Sequence, residues 1–446
     1  MIPDLRVLGL EARAWMKEQS AETQSETYLS IVEERSISRR DGRREAVETS
    51  VELGAGVRVA RGGRIGFASG GGADLRTLQG LWRRAVEQLP YAEAEPGRRL
   101  PQPLADAEDP VFEASLQDET LFGRPWEALE ERLGQAEAAG RAGGRVLRAD
   151  FTESRGEVVV AGTNGVLARE RSGFASVSVA VAAEDDGQTQ VGEGFRLSRR
   201  FDDLNCAAAG GEAARRAAAV IGARRVRAGR RAVLFEPWVA AEFLELLADL
   251  FSAEEVQGGR SLLAGRLGDT VASPLVTLRD DPRIPGGAAS ARFDAEGMPT
   301  RDKALVDRGV LREYLHDSAT AARAGMSSNG CSVRGSWRGL PGPGPSNFSL
   351  VPGLLTRAAL LKDTRDGLLL MEVLGTHMVD PVSGEFSVGV SGYEVEKGAF
   401  ARPFKGAMIS GNLLDLLGRV DAVADDLVRT GSFGSPTFRV SALDVA

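Results

Sequence analysis

The chain has 446 residues, 43% hydrophobic and 26% charged, the balance of a globular protein long enough for two or three domains and a substantial core. Asp and Glu outnumber Lys and Arg by 63 to 55, and the formal net charge of -8 argues against the basic face of a nucleic-acid binder. Two distant cysteines, Cys206 and Cys331, argue against a disulfide framework or a thiolate zinc cluster and suit a reducing compartment. No run approaches 18 apolar residues, so no membrane span is expected. The start, MIPDLRVLGLEARAWMKEQS, has acids early and no continuous apolar region, so the expected location is the cytoplasm.

Three units are expected in chain order, over 1–110, 111–225 and 226–446. In the first, Leu10 to Gln19 reads as a helix and Thr27 to Ser69 as strands. The stretch VRVARGGRIGFAS, Val57 to Ser69, predicts a hairpin turning at Gly62-Gly63, because glycine supplies the positive φ of a tight turn. Asp74 is a good N-cap for a helix over Leu75 to Leu89, and the proline- and acid-rich stretch Pro90 to Pro110 reads as a linker. In the second unit, a helix over Trp126 to Ala139 is broken by Gly140 to Gly144. Four strands follow, at Val146 to Phe151, Glu157 to Ala161, Val166 to Arg171 and Ala175 to Ala183. Asn164-Gly165 and Asp186-Gly187 predict turns, and Leu204 to Ile221 an Ala-rich helix. The third unit opens with a strand, Ala232 to Phe235, and a helix, Trp238 to Phe251. Short β-like runs follow at Leu275 to Leu278, Leu368 to Val373, Phe386 to Val395 and Thr437 to Val440. Arg308-Gly309 predicts a turn. Leu340 to Pro345 (LPGPGP) reads as an irregular loop, and Met408 to Val420 as a strand end, turn and helix. The class is α+β: an N-terminal α/β unit, a central strand-plus-helix unit and a strand-rich C-terminal domain.

Common catalytic motifs are absent from the sequence. There are two histidines, His316 and His377, and no HExxH or HExxxH string, whereas a catalytic zinc site needs three protein ligands. No GxSxG and no GxxxxGK[ST] occurs. His316 in EYLHDS reads as a partly buried, hydrogen-bonded residue; His377 in the Gly-flanked GTHMVDP has better claims to a site. The basic run Ala223 to Arg231 reads as a solvated linker, with a phosphate-binding patch as the alternative. The helix from Val239 to Phe251 carries a wide apolar stripe, with Glu242, Glu245 and Asp249 off it, as in a core helix with acids at its margin.

Longer strings carry a resemblance. GTHMVDPVSGEFSVGVSGYEVEKG (Gly375 to Gly398) continues as ARPFKGAMISGNLLDLLGRV (Ala401 to Val420) and ends in FGSPTFRVSALDV. GVLREYLHDSATAARAGMSSNG (Gly309 to Gly330) lies upstream, and GAGVRVARGGRIGFAS lies in the first unit. Together they resemble the TldD/PmbA family over nearly the whole chain. The resemblance implies a three-part chain and dimers enclosing a cavity in which extended peptides are bound and cut. Its zinc-bearing branch carries HExxxH on a helix and a later cysteine. Anchored on Trp238, the motif positions fall on Leu244, Glu245 and Asp249, so both histidines are replaced, and Asp425 to Ser435 holds no cysteine. VLFEPWVAAEFLELLADLF and EEVQGGRSLLAGRLGD look closer to the PmbA branch, also called TldE. That branch resembles the non-catalytic half of a heterodimeric metalloprotease.

The expectation is therefore a subunit with no metal, no cofactor and no catalytic residue of its own. It would hold small unfolded peptides by strand addition and pair with a TldD-like zinc subunit or with itself, without nucleic acid or membrane. A stand-alone peptide-binding homodimer and a metal-free hydrolase using Glu245 with His377 are the alternatives. Asn329, Asn347, His377 and Asp380 are candidates for lining the cavity, with Asn329-Gly330 as a simple turn and Asp380-Pro381 as a loop entry being the other readings.

Overall fold

Strands that alternate small or β-branched residues build the first half of the molecule. The computed structural model describes residues 3–95, 98–105, 109–185 and 187–446. Helix α1 (Leu5–Gln19) starts five residues earlier than its expected start because Asp4 caps it, accepting hydrogen bonds from the Arg6 and Val7 amides at 2.9 and 3.1 Å. Strands β1 (Gln24–Arg40), β2 (Arg43–Arg61) and β3 (Arg64–Gly71) form a meander. Its second turn is the expected one, with φ of +59° at Gly62 and +77° at Gly63 and Arg61 paired to Arg64. Asp74 caps α2 (Leu75–Gln88), accepting from the Thr77 amide at 2.8 Å. After the short α3 (Pro110–Ser115) the pattern recurs: α4 (Trp126–Gly140), β4 (Arg145–Gly162), β5 (Leu167–Asp185), β6 (Gln188–Ser198) and α5 (Cys206–Ala219).

These two helix–meander–helix units share one antiparallel sheet, ordered β3-β2-β1-β4-β5-β6. Its central pair, β1 and β4, runs from Glu26↔Gly162 to Arg40↔Arg148. The sequence units 1–110 and 111–225 are therefore the two halves of a single sheet. The helices cover one face, where odd-numbered Leu29, Ile37, Phe151, Val159, Val177 and Val179 are buried beneath them. The four short strands expected in the second half are two long ones. Their polar middle stays in the ladder because Glu153, fully buried, receives the Arg35 Nε of β1 at 2.6 Å. The expected turn at Asp186-Gly187 includes Asp186, which lies outside the described residues, as do parts of the 90–110 linker.

The C-terminal region is strand-rich. Strand β7 (Gly229–Phe235) pairs in parallel with Asp366–Leu374 and antiparallel with Phe438–Val445 in a second six-stranded sheet. A third sheet of short strands includes Leu278–Asp280, Lys303–Asp307 and Phe348–Leu350. Helix α6 (Pro237–Ala248) packs against strands of both and ends in a 3-10 turn, Asp249–Phe251, where the sequence suggested a continuous helix. Phe243 of α6 meets Phe235 edge-on at 5.0 Å and Phe386 at 5.6 Å, and Phe235 stacks on Phe438 at 4.8 Å.

Two further expectations change. The strand expected over Leu275 to Leu278 is Leu278–Asp280. The LPGPGP stretch contains a two-residue pairing, Gly342–Pro343 with Ser332–Val333, short enough that a proline interrupts no ladder.

The other face of the first sheet meets the C-terminal region through charge. Arg58 donates to Glu26 and to Glu296, both at 2.8 Å, and Arg334 donates to Glu26 at 2.6 Å while stacking 4.6 Å over the Tyr28 ring. These four charged side chains are 1–8% exposed.

Candidate functional site

The opening of α6 is fixed by Pro237, whose missing N–H matters least in the first turn. From there Trp238, Glu242, Glu245 and Asp249 follow at spacings of four, three and four, which places them on one face. That face forms one wall of a cavity of about 740 Å3. Thr376, His377, Val379 and Pro381 also line it, in and after the 3-10 turn Thr376–Met378, which Gly375 enters at a φ of +82°. Thr430 and Phe433 complete the lining.

Three carboxylates share this wall, and none forms an ion pair among the described residues. Burial raises Glu242 above the ordinary carboxyl value, against the hydrogen bond from Trp238 and the pull of Arg216, with Glu245 adding repulsion. Asp249 opens on the cavity, and the surrounding protein and Glu255 also hold its carboxyl high. The cavity is thus an acidic space lined also by one imidazole, His377, and two aromatics, Trp238 and Phe433.

Of the residues singled out from sequence, Glu245, Asp249 and His377 come together here. Leu244 does not share their face: it is 2% exposed and belongs to the hydrophobic core around Phe243 and Leu247, so the aligned motif position looks away from the cavity. Asn329 is buried and spent on its own loop, accepting from the His316 amide at 2.9 Å and donating to the Tyr314 carbonyl at 2.7 Å. Asn347 is buried too, donating to the Asp281 carbonyl at 2.8 Å and Ser290 Oγ at 2.9 Å and accepting from the Ala289 amide at 3.0 Å. Asp380 is exposed and caps its own turn through the Val382 and Ser383 amides, which hold its carboxyl below the usual value. None of these three lines the cavity. His316 is buried, where its sequence context suggested a partly buried residue. Sequence reasoning missed Trp238, Glu242, Thr430 and Phe433 as lining residues. The spacing of Trp238, Glu242, Glu245 and Asp249 was a usable signal for the first two; nothing local marked the others.

The donor set does not fit a zinc ion. Among the described residues no group of three or more His, Cys, Asp or Glu is arranged to hold a metal. At the positions of the two motif histidines the chain has a core-facing Leu, which carries no donor atom, and an Asp, and the later cysteine has no counterpart in 425–435.

Among the described residues no helix is long and apolar enough to cross a membrane. The chain is 26% identical to metalloprotease PmbA of Escherichia coli O157:H7 over 91% of its own length and 89% of that protein's. It is also 26% identical to the metalloprotease TldD homolog of Haemophilus influenzae, over 90% of this chain and 85% of that one. The crystal structure of TldE from Thermococcus kodakarensis shares the fold with a TM-score of 0.89 at 19% identity, over 98% of this chain and 100% of that one. Family models for the PmbA/TldA metallopeptidase domain 1, central domain and C-terminal domain match residues 25–89, 125–220 and 228–446. The chain therefore belongs to the TldD/PmbA family of peptidase-related proteins.

Proposed function

We propose that this chain is the zinc-less subunit of a two-subunit, TldD/TldE-type metalloprotease that acts on small unfolded peptides in the cytoplasm. One observation carries the reading: the helix face that opens on the large cavity presents Glu242, Glu245 and Asp249, while Leu244 is folded into the core. This chain would shape the cavity and hold peptide by main-chain pairing, and a TldD-like partner would supply the metal and its ligands. Leu374, Met378 and Val382 support a subunit contact, being 60%, 68% and 49% exposed and close in sequence to the cavity-lining Thr376, His377 and Pro381. The test is reconstitution. Metal analysis of the purified chain is expected to show no stoichiometric zinc, with peptidase activity only after a HExxxH-bearing homologue is added. Chelator-sensitive activity of this chain alone overturns the proposal, and a stable homodimer that binds peptide and ignores such a homologue favours the stand-alone binder.

A second reading has one observation in its favour, because the structure brings Glu245 and His377 to the same cavity. A metal-free hydrolase would use them as acid and base. Turnover by the chain alone that is lost on Glu245→Gln and on His377→Gln is the result this reading requires.

A further inference from the structure

Trp238 also lines a second concavity, of about 400 Å3, next to the large one. Arg196 of β6, Arg215 of α5 and Arg357 reach it, with Glu212 and Glu236. The two carboxylates are already engaged. Glu212 accepts from Arg215 and Arg216, both at 2.7 Å, and Glu236 accepts from Arg216 at 2.9 Å and Arg215 at 3.1 Å. Arg357 stands 3.7 Å from Glu236 and is 39% exposed. Arg196 donates Nη1 to the Phe195 carbonyl at 2.7 Å and has no carboxylate within ion-pairing distance among the described residues. Three guanidiniums and two carboxylates thus line the concavity, and Arg216 pairs with both carboxylates from outside its lining, so positive charge is in excess here in a protein whose net charge is -8. Burial lowers the Arg196 pKa from its ordinary value, opposed by Glu212 and reinforced by Arg216 and Arg215. An arriving anion would relieve that repulsion. The rest of the wall is apolar: Leu369, Met371 and the tilted pair Tyr393 and Phe400, with ring centroids 5.2 Å apart.

We propose that this concavity takes the C-terminal carboxylate of a peptide, held between Arg196 and Arg357, with the last side chain against Tyr393 and Phe400 and the preceding residues running past Trp238 into the larger cavity. Arg196, without a carboxylate partner among the described residues, and Arg357, held to Glu236 only at 3.7 Å, can turn two guanidiniums to the two oxygens of a carboxylate, and the aromatic wall suits an organic acid better than a bare inorganic anion. The assignment rests on the peptide-binding reading above and deepens it, because it makes the free end of the chain the recognised feature. It follows that short peptides and the tails of unfolded chains would be selected over internal loops.

The experiment compares one short unstructured peptide ending in Phe, fluorescently labelled at its N-terminus, with a free or an amidated C-terminus, by anisotropy on the full chain. The free acid is expected to bind about tenfold more tightly. Arg196→Met and Arg357→Met should each reduce that preference, while Arg196→Lys should keep part of it. Because Arg357 is partly exposed, its variant tests the proposal even where replacing Arg196 disturbs folding. N-acetylphenylalanine should displace the peptide, and N-acetylphenylalaninamide should not. Equal binding of acid and amide overturns the proposal and leaves peptide binding standing. Displacement by inorganic phosphate as effectively as by N-acetylphenylalanine also overturns it, in favour of a general anion site. Failure of both peptide forms to bind removes the peptide reading and this assignment with it.

Discussion

Two groups of acids in this chain are treated in opposite ways. At the seam between the first sheet and the C-terminal region, Glu26 and Glu296 are almost fully buried, and each meets a guanidinium, with Arg58 bridging both. Along α6, Glu242, Glu245 and Asp249 line a cavity with no ion pair among the described residues. Buried charge survives folding only when it is paired and hydrogen-bonded, so the seam is built for cohesion. The α6 wall keeps its hydrogen-bonding capacity for something that enters. The lesson is that carboxylates spent on arginines mark structure, and carboxylates left beside space mark a site.

The largest effect should come from breaking the seam. Arg58→Met leaves Glu26 and Glu296 without their shared partner and should destabilise the chain by about 3–5 kcal/mol in urea unfolding. Replacing Glu296 by Gln in that background should restore part of the loss, because Glu26 still has Arg334 while Glu296 has no other guanidinium partner among the described residues. A cost below about 1 kcal/mol would mean that the seam does not need its charges. Next is the attempt to rebuild the zinc motif. Leu244→His with Asp249→His should lower stability by roughly 3 kcal/mol, because the first substitution puts a polar ring into the core. Metal analysis should find no stoichiometric zinc; uptake would show that position 244 can reach the cavity.

Smaller is a pH effect on a paired acid. Arg215 and Arg216 overcome the opposing effect of burial and hold Glu212 at about 2, against 4.5 for the free group. A carboxyl depressed in the folded state contributes stability above its unfolded value and loses it as pH falls through the folded one. Unfolding free energies should therefore fall between about pH 4.5 and 2, by about 1 kcal/mol after solvent screening, and Glu212→Gln should flatten that limb. Smallest of all, Glu245→Gln should leave stability within about 0.5 kcal/mol of the parent while altering peptide binding. A large loss of stability there would dissolve the contrast between the two groups of acids.

Local chemistry was readable where one residue's geometry decided the outcome. Gly62-Gly63 could turn a hairpin and Asp74 could cap a helix without help from the rest of the chain. The same reasoning split β4 and β5 in two, because Glu153 and its neighbours look like a loop until Arg35 of a distant strand is set against them. Asn329 and Asn347 illustrate the reverse error: polar residues in Gly- or Pro-flanked segments look available, but their hydrogen bonds are consumed by loops folded around them. His377 kept its exposure to a cavity because its own turn is short and glycine-led.

By itself the sequence determined the mixed class, the strand-rich C-terminal third, the absence of a histidine zinc motif and the family resemblance, since these depend on composition, periodicity and contiguous strings. Only the tertiary structure decided that the first two units are halves of one sheet, that the acid margin of α6 opens on a cavity shared with His377, and that Arg196 and Arg357 share a concavity 161 positions apart in the chain. The physical reason is that strand partners and the walls of a cavity are set by packing between distant segments, which no local pattern encodes.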